Sequence, residues 1–204
     1  MIDLRKELAP LYRPKAGRPS IVDVPSMAFL MIDGSGPPEP GGEYADAIQT
    51  LYPVVYTLKF RTKGLDPEHD FSVMPLETLW RSADGSSLDV ADRAAWTWTA
   101  MIAVPDGVRK PDVATATREA AGRRALPLKD RVRLARLREG RCAQVLHVGP
   151  FDRERPTIEA LVSFIHEQGL EPSGAHHEIY LSDPNRTAPE RLRTIVRQPV
   201  RKAR

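Results

Sequence analysis

The 204-residue chain is short of the residues that most often announce a chemistry. It has one cysteine, Cys142, and five histidines. A single thiol cannot close an intramolecular disulfide, and it excludes a zinc site built on cysteines. The adjacent His176 and His177 would point to opposite faces of a strand, and no pair four apart on a helix accompanies them, so no metal is expected. Gly-x-Ser-x-Gly, a phosphate loop and a dinucleotide fingerprint are all missing, and nothing calls for a cofactor. No stretch approaches the roughly 20 apolar residues of a membrane span, and no early segment joins a charged start to an apolar run. A cytoplasmic protein without a membrane partner is the expectation. The lone Cys142, at a strand start, reads as a small core residue in a reducing compartment.

Acidic residues are scarce in one place. The net charge of +3 conceals a gradient: residues 1–108 carry 10 Lys/Arg against 15 Asp/Glu, whereas residues 109–141 carry 11 against 4. A basic run invites a nucleic-acid reading. Against it, no aromatic residue is interleaved for base stacking, and no helix-turn-helix or zinc-finger spacing occurs. Alternation over 131–138 fits a solvated strand face instead, with Val132, Leu134 and Leu137 turned inward and Arg131, Arg133, Arg136 and Arg138 in water.

What the chain does have is one unit written twice. An apolar strand over 27–32 runs through a Gly/Pro turn into a helix over 43–59, followed by strands over 71–80 and 94–104 joined by a polar loop around Asp84 and Gly85. A strand over 142–148 then runs through Gly149 and Pro150 into a helix over 155–168, followed by strands over 175–182 and 192–197. Both halves read strand, helix, strand, strand. The expectation is an α+β fold, a tandem duplication with pseudo-twofold symmetry, whose seam is a natural ligand cleft. Its divisions are an N-terminal arm (1–20), a first module (21–108), a connector with helical character (109–139) and a second module (140–204). The basic end, 200–204, is expected to fray.

The helix over 43–59 has a core stripe at Ala47, Leu51, Val54, Val55 and Leu58, with Pro53 as a kink or early break. A second stripe, Tyr44, Ile48, Tyr52 and Tyr56, reads as core cap or cleft lining. In the strand over 175–182, His176, Glu178 and Tyr180 share one face. A carboxylate held there among aromatics is suited to attract a cation, accept a hydrogen bond or act as a general base. Glu77 occupies the corresponding place in the first copy, so the seam is open to a second carboxylate. Aromatics make up only 6% of the chain, yet Trp80, Trp96 and Trp98 fall within 19 positions. They read either as core or as stacking walls for a flat aromatic or cationic ligand.

Three segments carry a resemblance: residues 74–80 (Met-Pro-Leu-Glu-Thr-Leu-Trp), the helix end over 52–60, and above all His176-His-Glu-Ile-Tyr-Leu-Ser-Asp-Pro184 followed by Thr187-Ala-Pro-Glu190. The chain resembles the GyrI-like small-molecule-binding proteins over nearly its whole length. The resemblance implies two strand-helix-strand-strand (SHS2) modules in one mostly antiparallel sheet, with helices on one face and the cleft at the seam. Relatives include drug-sensing domains that bind lipophilic cations and stand-alone hydrolases of cyclopropanoid genotoxins. By resemblance to the hydrolases, Glu178 would activate water, Tyr180 would donate a hydrogen bond or line the wall, and Trp80, Trp96, Trp98, Tyr52, Tyr56, Glu77 and His176 would contact the ligand. The chain departs from the family pattern at Pro53 and at Arg81, where relatives often carry a second tryptophan. Three readings follow: a hydrolase of flat electrophiles, a non-catalytic binder of hydrophobic aromatic or cationic molecules, and a protein-interaction module of topoisomerase-inhibitor type acting through Arg133, Arg136 and Arg138.

Overall fold

The structure, a computed structural model, describes residues 1–82 and 93–203. The loop expected around Asp84 and Gly85 lies outside the described residues. Two helical turns, α1 (Leu4–Glu7) and α2 (Ala9–Tyr12), begin the chain. The first copy comprises β1 (Ser20–Ser35), α3 (Glu43–Leu65), β2 (Leu76–Ser82) and β3 (Trp96–Val104), and α4 (Lys110–Arg123) leads out of it. The second comprises β4 (Arg133–Val148), α5 (Arg155–Glu167), a short β5 (Leu170–Pro172), β6 (His176–Tyr180) and β7 (Arg193–Lys202). Strand, helix, strand, strand recurs, with β5 an addition.

All strand pairings within the sheet are antiparallel, in the order β4-β1-β3-β2-β6-β7-β5, and a further β4–β7 pairing closes six of the strands into a barrel. Closure depends on two strands of 16 residues each. β1 pairs with β4 from Ser20 to Met31 and with β3 from Ala28 to Ser35, while β4 passes from β1 to β7 around Cys142. The apolar runs over 27–32 and 142–148 mark only the better buried halves of these strands. Their polar halves are extended because each finds a ladder partner, which also removes exposed edges.

The C-terminal segment does not fray as expected. Leu170 pairs with Lys202 and Pro172 with Val200, and Val200 is buried. It joins Leu161, Ile165, Leu170 and Val196 in an apolar cluster beneath α5. Ladder bonds and apolar burial together outweigh the charge of the tail.

Helix α3 also exceeds its expected length, continuing to Leu65 through Pro53. Proline removes the hydrogen bond to the carbonyl four residues earlier. That carbonyl belongs to Gln49, on the exposed side of the helix where water serves it, and the buried stripe from Tyr44 to Leu58 holds the helix together across the defect.

Strand register decides what each face of the barrel carries. Across the seam β2 and β6 pair Glu77 with Ile179, Thr78 with Glu178, Leu79 with His177 and Trp80 with His176. Directly paired residues share a face and neighbours along a strand alternate. Thr78, Trp80, His176, Glu178 and Tyr180 therefore look outward toward α3 and α5, whereas Glu77, Leu79, His177 and Ile179 look into the barrel.

The barrel interior is polar at its centre. His177 Nδ1 lies 3.0 Å from Glu139 Oε1, and His177 Nε2 lies 3.0 Å from Glu77 Oε2. Arg197 reaches Glu139 Oε2 at 3.2 Å and donates to Gln144 Oε1 at 3.1 Å and to the Leu11 carbonyl at 2.9 Å. Tyr12 donates to Glu77 Oε1 at 2.8 Å, and Gln144 donates to the Pro10 carbonyl at 2.8 Å. The N-terminal arm thus plugs the barrel, its backbone carbonyls and one phenol completing a buried ionic network. Burial opposes the His177 charge, but Glu139 and Glu77 hold the proton and push its pKa up to about 9. Burial likewise opposes ionisation of Glu139, yet His177 and Arg197 bring it down to about 2.

Candidate functional site

The outer face of the seam lies between two apolar clusters, one under α3 and one under α5. Between them the side chains turn polar. Glu178 stands on β6 with Oε1 3.1 Å from His176 Nε2 and Oε2 accepting a 2.6 Å hydrogen bond from the Tyr180 hydroxyl. Trp80 Nε1 donates in turn to the Tyr180 oxygen at 3.2 Å. The hydroxyls of Tyr44 and Thr78 lie 2.7 Å apart, and Phe151, 43% exposed, meets Tyr180 edge-on at 5.7 Å between ring centroids.

Burial pushes the Glu178 pKa up, but the hydrogen bonds and charge of His176, with the Tyr180 and Trp80 donors, hold it below the usual carboxylate value. Glu178 is therefore an anion at neutral pH. Tyr180 is moved the other way, by burial first and by the Glu178 charge next, and it stays a phenol and a donor.

A second carboxyl completes the group. Glu154 is the residue just before α5, a position from which short polar side chains usually cap the helix, yet it makes no capping bond. It is buried and turned toward Thr194 and Glu178. Burial first, and then the neighbouring Glu178 charge, raise its pKa to about 8. The pair therefore holds one proton and one negative charge, the arrangement that lets two carboxyls divide acid and base roles. Glu154 Oε1 and Thr194 Oγ1 are buried without a hydrogen-bond partner of ordinary geometry among the described residues.

The residues singled out from the sequence fall into four places. Glu178, Tyr180, His176 and Trp80 are brought together on the outer face of the seam. Trp96 and Trp98 sit one strand over, on β3 beside β2, and are buried: Trp96 packs edge-on to Trp80 at 5.4 Å, and Trp98 is wedged between the Tyr44 ring and Gly34. Tyr52 and Tyr56 stack on one another along α3. Glu77 is not at the cleft; it is wholly buried on the inner face, bonded to Tyr12. Its sequence correspondence with Glu178 fails because the seam register sets the two on opposite sides of the sheet. The second carboxyl comes from Glu154, which pattern reading passed over. Its only sequence signal is a glutamate at a helix start where the Gly149-Pro150 turn brings the chain back to the sheet.

Among the described residues no group of three or more metal-ligating side chains gathers, and no helix is long and apolar enough to cross a membrane. Cys142 is buried, and burial pushes its thiol up to about 12, so it is unreactive.

Comparison with known proteins agrees with this architecture. The GyrI-like small molecule binding domain matches residues 18–201. The chain belongs to the GyrI-like family. A solved protein described as an uncharacterized conserved protein from Listeria innocua is 41% identical, with a TM-score of 0.90 over 98% of this chain and 100% of its own. Another, described as a hydrolase from Listeria innocua, is 40% identical with a TM-score of 0.86 over 98% and 100%. The EcmrR C-terminal domain shares the fold at 11% identity and a TM-score of 0.56 over 91% of this chain and 98% of its own. Among curated proteins none matches significantly.

Proposed function

We propose that this GyrI-like protein binds flat hydrophobic electrophiles against the Tyr180–Trp80 side of the seam and opens a strained ring with water, as in cyclopropanoid genotoxins. The observation that carries the reading is the carboxyl pair: Glu178 ionised and Glu154 protonated, side by side among aromatic rings. The similar protein described as a hydrolase supports it.

In the proposed step Glu178 takes a proton from water as the water oxygen bonds to the ring carbon. The carbon–carbon bond of the cyclopropane breaks, and its electron pair moves through the conjugated ring to the carbonyl oxygen, which leaves as a phenolate and takes its proton from solvent. Relief of ring strain drives the reaction, so positioning and general-base help suffice. Glu154, already protonated, leaves the resting pair with a single negative charge on Glu178; Glu178 returns the proton it takes to solvent after the ring has opened. Tyr180 and His176 fix the direction of the carboxylate.

The test is incubation with a duocarmycin-type cyclopropane compound followed by mass spectrometry, beside Glu178→Gln. A water adduct formed by the wild type alone is expected. A second reading, non-catalytic binding of lipophilic cations, is favoured by the same buried anion, since a carboxylate among aromatic faces attracts such ligands. An unchanged compound that still quenches tryptophan fluorescence would establish that reading and end the first. The basic face is a weaker candidate for partner binding, because Arg133 is paired with Asp33 and Arg136 with Asp106.

A further inference from the structure

Away from the seam, α3 carries a feature the proposed chemistry does not use. Tyr52, Tyr56 and Phe60 stack as an i, i+4 ladder, with ring centroids 6.4 and 6.5 Å apart and planes within 28°. Tyr56 is 46% exposed and Phe60 61% exposed. Large apolar surface left in water in one contiguous patch marks an interaction site more often than chance exposure. The ladder forms one wall of a groove of about 380 Å³, within the range of small-ligand sites. Pro53, Thr57 and Ala120 line it further, Thr57 and Ala120 being buried, and Arg123 and Arg124 stand on the opposite side at the end of α4.

The charge of the groove is one-sided. Among the described residues Arg123 and Arg124 form no ion pair or side-chain hydrogen bond, and both are exposed. Neighbouring charges are committed elsewhere: Glu119, one turn before Arg123, is held by Arg61, and Lys59 is paired with Asp70 at 2.5 Å. Two free guanidinium groups facing a strip of aromatic rings offer stacking and a planar fork for a carboxylate at the same time. The seam has the opposite polarity, an anion among aromatics, so the two sites select ligands of opposite charge.

We infer that the groove between α3 and α4 is a second binding site, for planar aromatic anions of the aryl carboxylate class. The probe is 2-naphthoate, with neutral 2-naphthol as control, followed by equilibrium dialysis. Saturable binding of 2-naphthoate is expected to weaken at least about tenfold in the Arg123→Ala/Arg124→Ala double variant, to weaken with added salt, and to be unchanged in Glu178→Gln. The single change Arg123→Gln, on an exposed position, should move affinity the same way with an unaltered melting temperature. Equal affinity for 2-naphthol, equal binding by the arginine variants, loss of binding in Glu178→Gln, or no saturable binding would each overturn the inference. Because the readout is binding of an anion that the seam disfavours, failure here leaves the hydrolase reading standing, and the reverse also holds.

Discussion

Glu154 is turned toward Glu178 and titrates apart from it: burial and the Glu178 charge push the first up to about 8, while His176, Tyr180 and Trp80 keep the second below its ordinary value. Each expectation for the seam follows from that asymmetry.

Glu178→Gln keeps the shape of the side chain and its contact with Tyr180 but cannot accept a proton from water. Turnover of a cyclopropane compound is expected to fall by roughly 10²–10⁴-fold, the usual range for a lost general base. Circular dichroism should be unchanged, and a rate equal to wild type would remove Glu178 from the mechanism.

Glu154→Gln tests the raised Glu154 carboxyl directly. Between the ordinary carboxyl value of 4.5 and about 8 the folded wild type holds a proton that the unfolded chain releases. That contribution to stability is fully present below the lower value and is lost as pH rises through the upper one. The variant has no such group. Its melting temperature should therefore gain on that of the wild type as pH is raised, and the alkaline limb near pH 8 in the activity of the wild type should vanish in the variant. Parallel melting curves at all pH values would show that Glu154 does not titrate there.

The barrel interior has its own pH window. His177, raised to about 9, stabilises the fold fully below its ordinary 6.5, and this is lost as pH climbs through 9. Glu139, lowered to about 2, contributes above its ordinary 4.5, and this is lost as pH falls through 2. Maximum stability should lie between these limits, with the alkaline decline worth on the order of 3 kcal/mol. His177→Gln is expected to lower overall stability and flatten the alkaline decline, measured by urea unfolding at pH 7 and pH 10. A decline equally steep in the variant would assign it to another group.

At Gly34 any side chain would overlap the Trp98 ring. Gly34→Ala should cost about 1–3 kcal/mol through overpacking and alter the tryptophan emission, since Trp98 is wedged against Tyr44 with nowhere to retreat. Wild-type stability in this variant would mean that the ring shifts freely.

The duplication, both helices and the Glu178–Tyr180 face were legible because each rests on local periodicity. The α3 stripe Tyr44, Ile48, Tyr52 and Tyr56 was less so. A four-residue step on a helix of 3.6 residues per turn drifts by about 40°, so Tyr44 ends against the sheet and Tyr56 in solvent. Glu77 and Glu178 look equivalent in sequence, but which face each takes depends on a seam register between strands about a hundred residues apart. Glu154 carries no periodic signal at all. Its role arises only when the turn before α5 folds back over β6.

The family's limits begin at residue 18, whereas the material that fills the barrel begins before it. A fragment trimmed to those limits would lose the Tyr12 phenol and the Pro10 and Leu11 carbonyls, leaving Arg197, Gln144 and Glu77 facing an emptied chamber directly behind the strand that carries Glu178. Expression of this protein in shortened form, or with a bulky tag fused close to Met1, would thus disturb the back of the strand that carries Glu178 without touching any residue on its front.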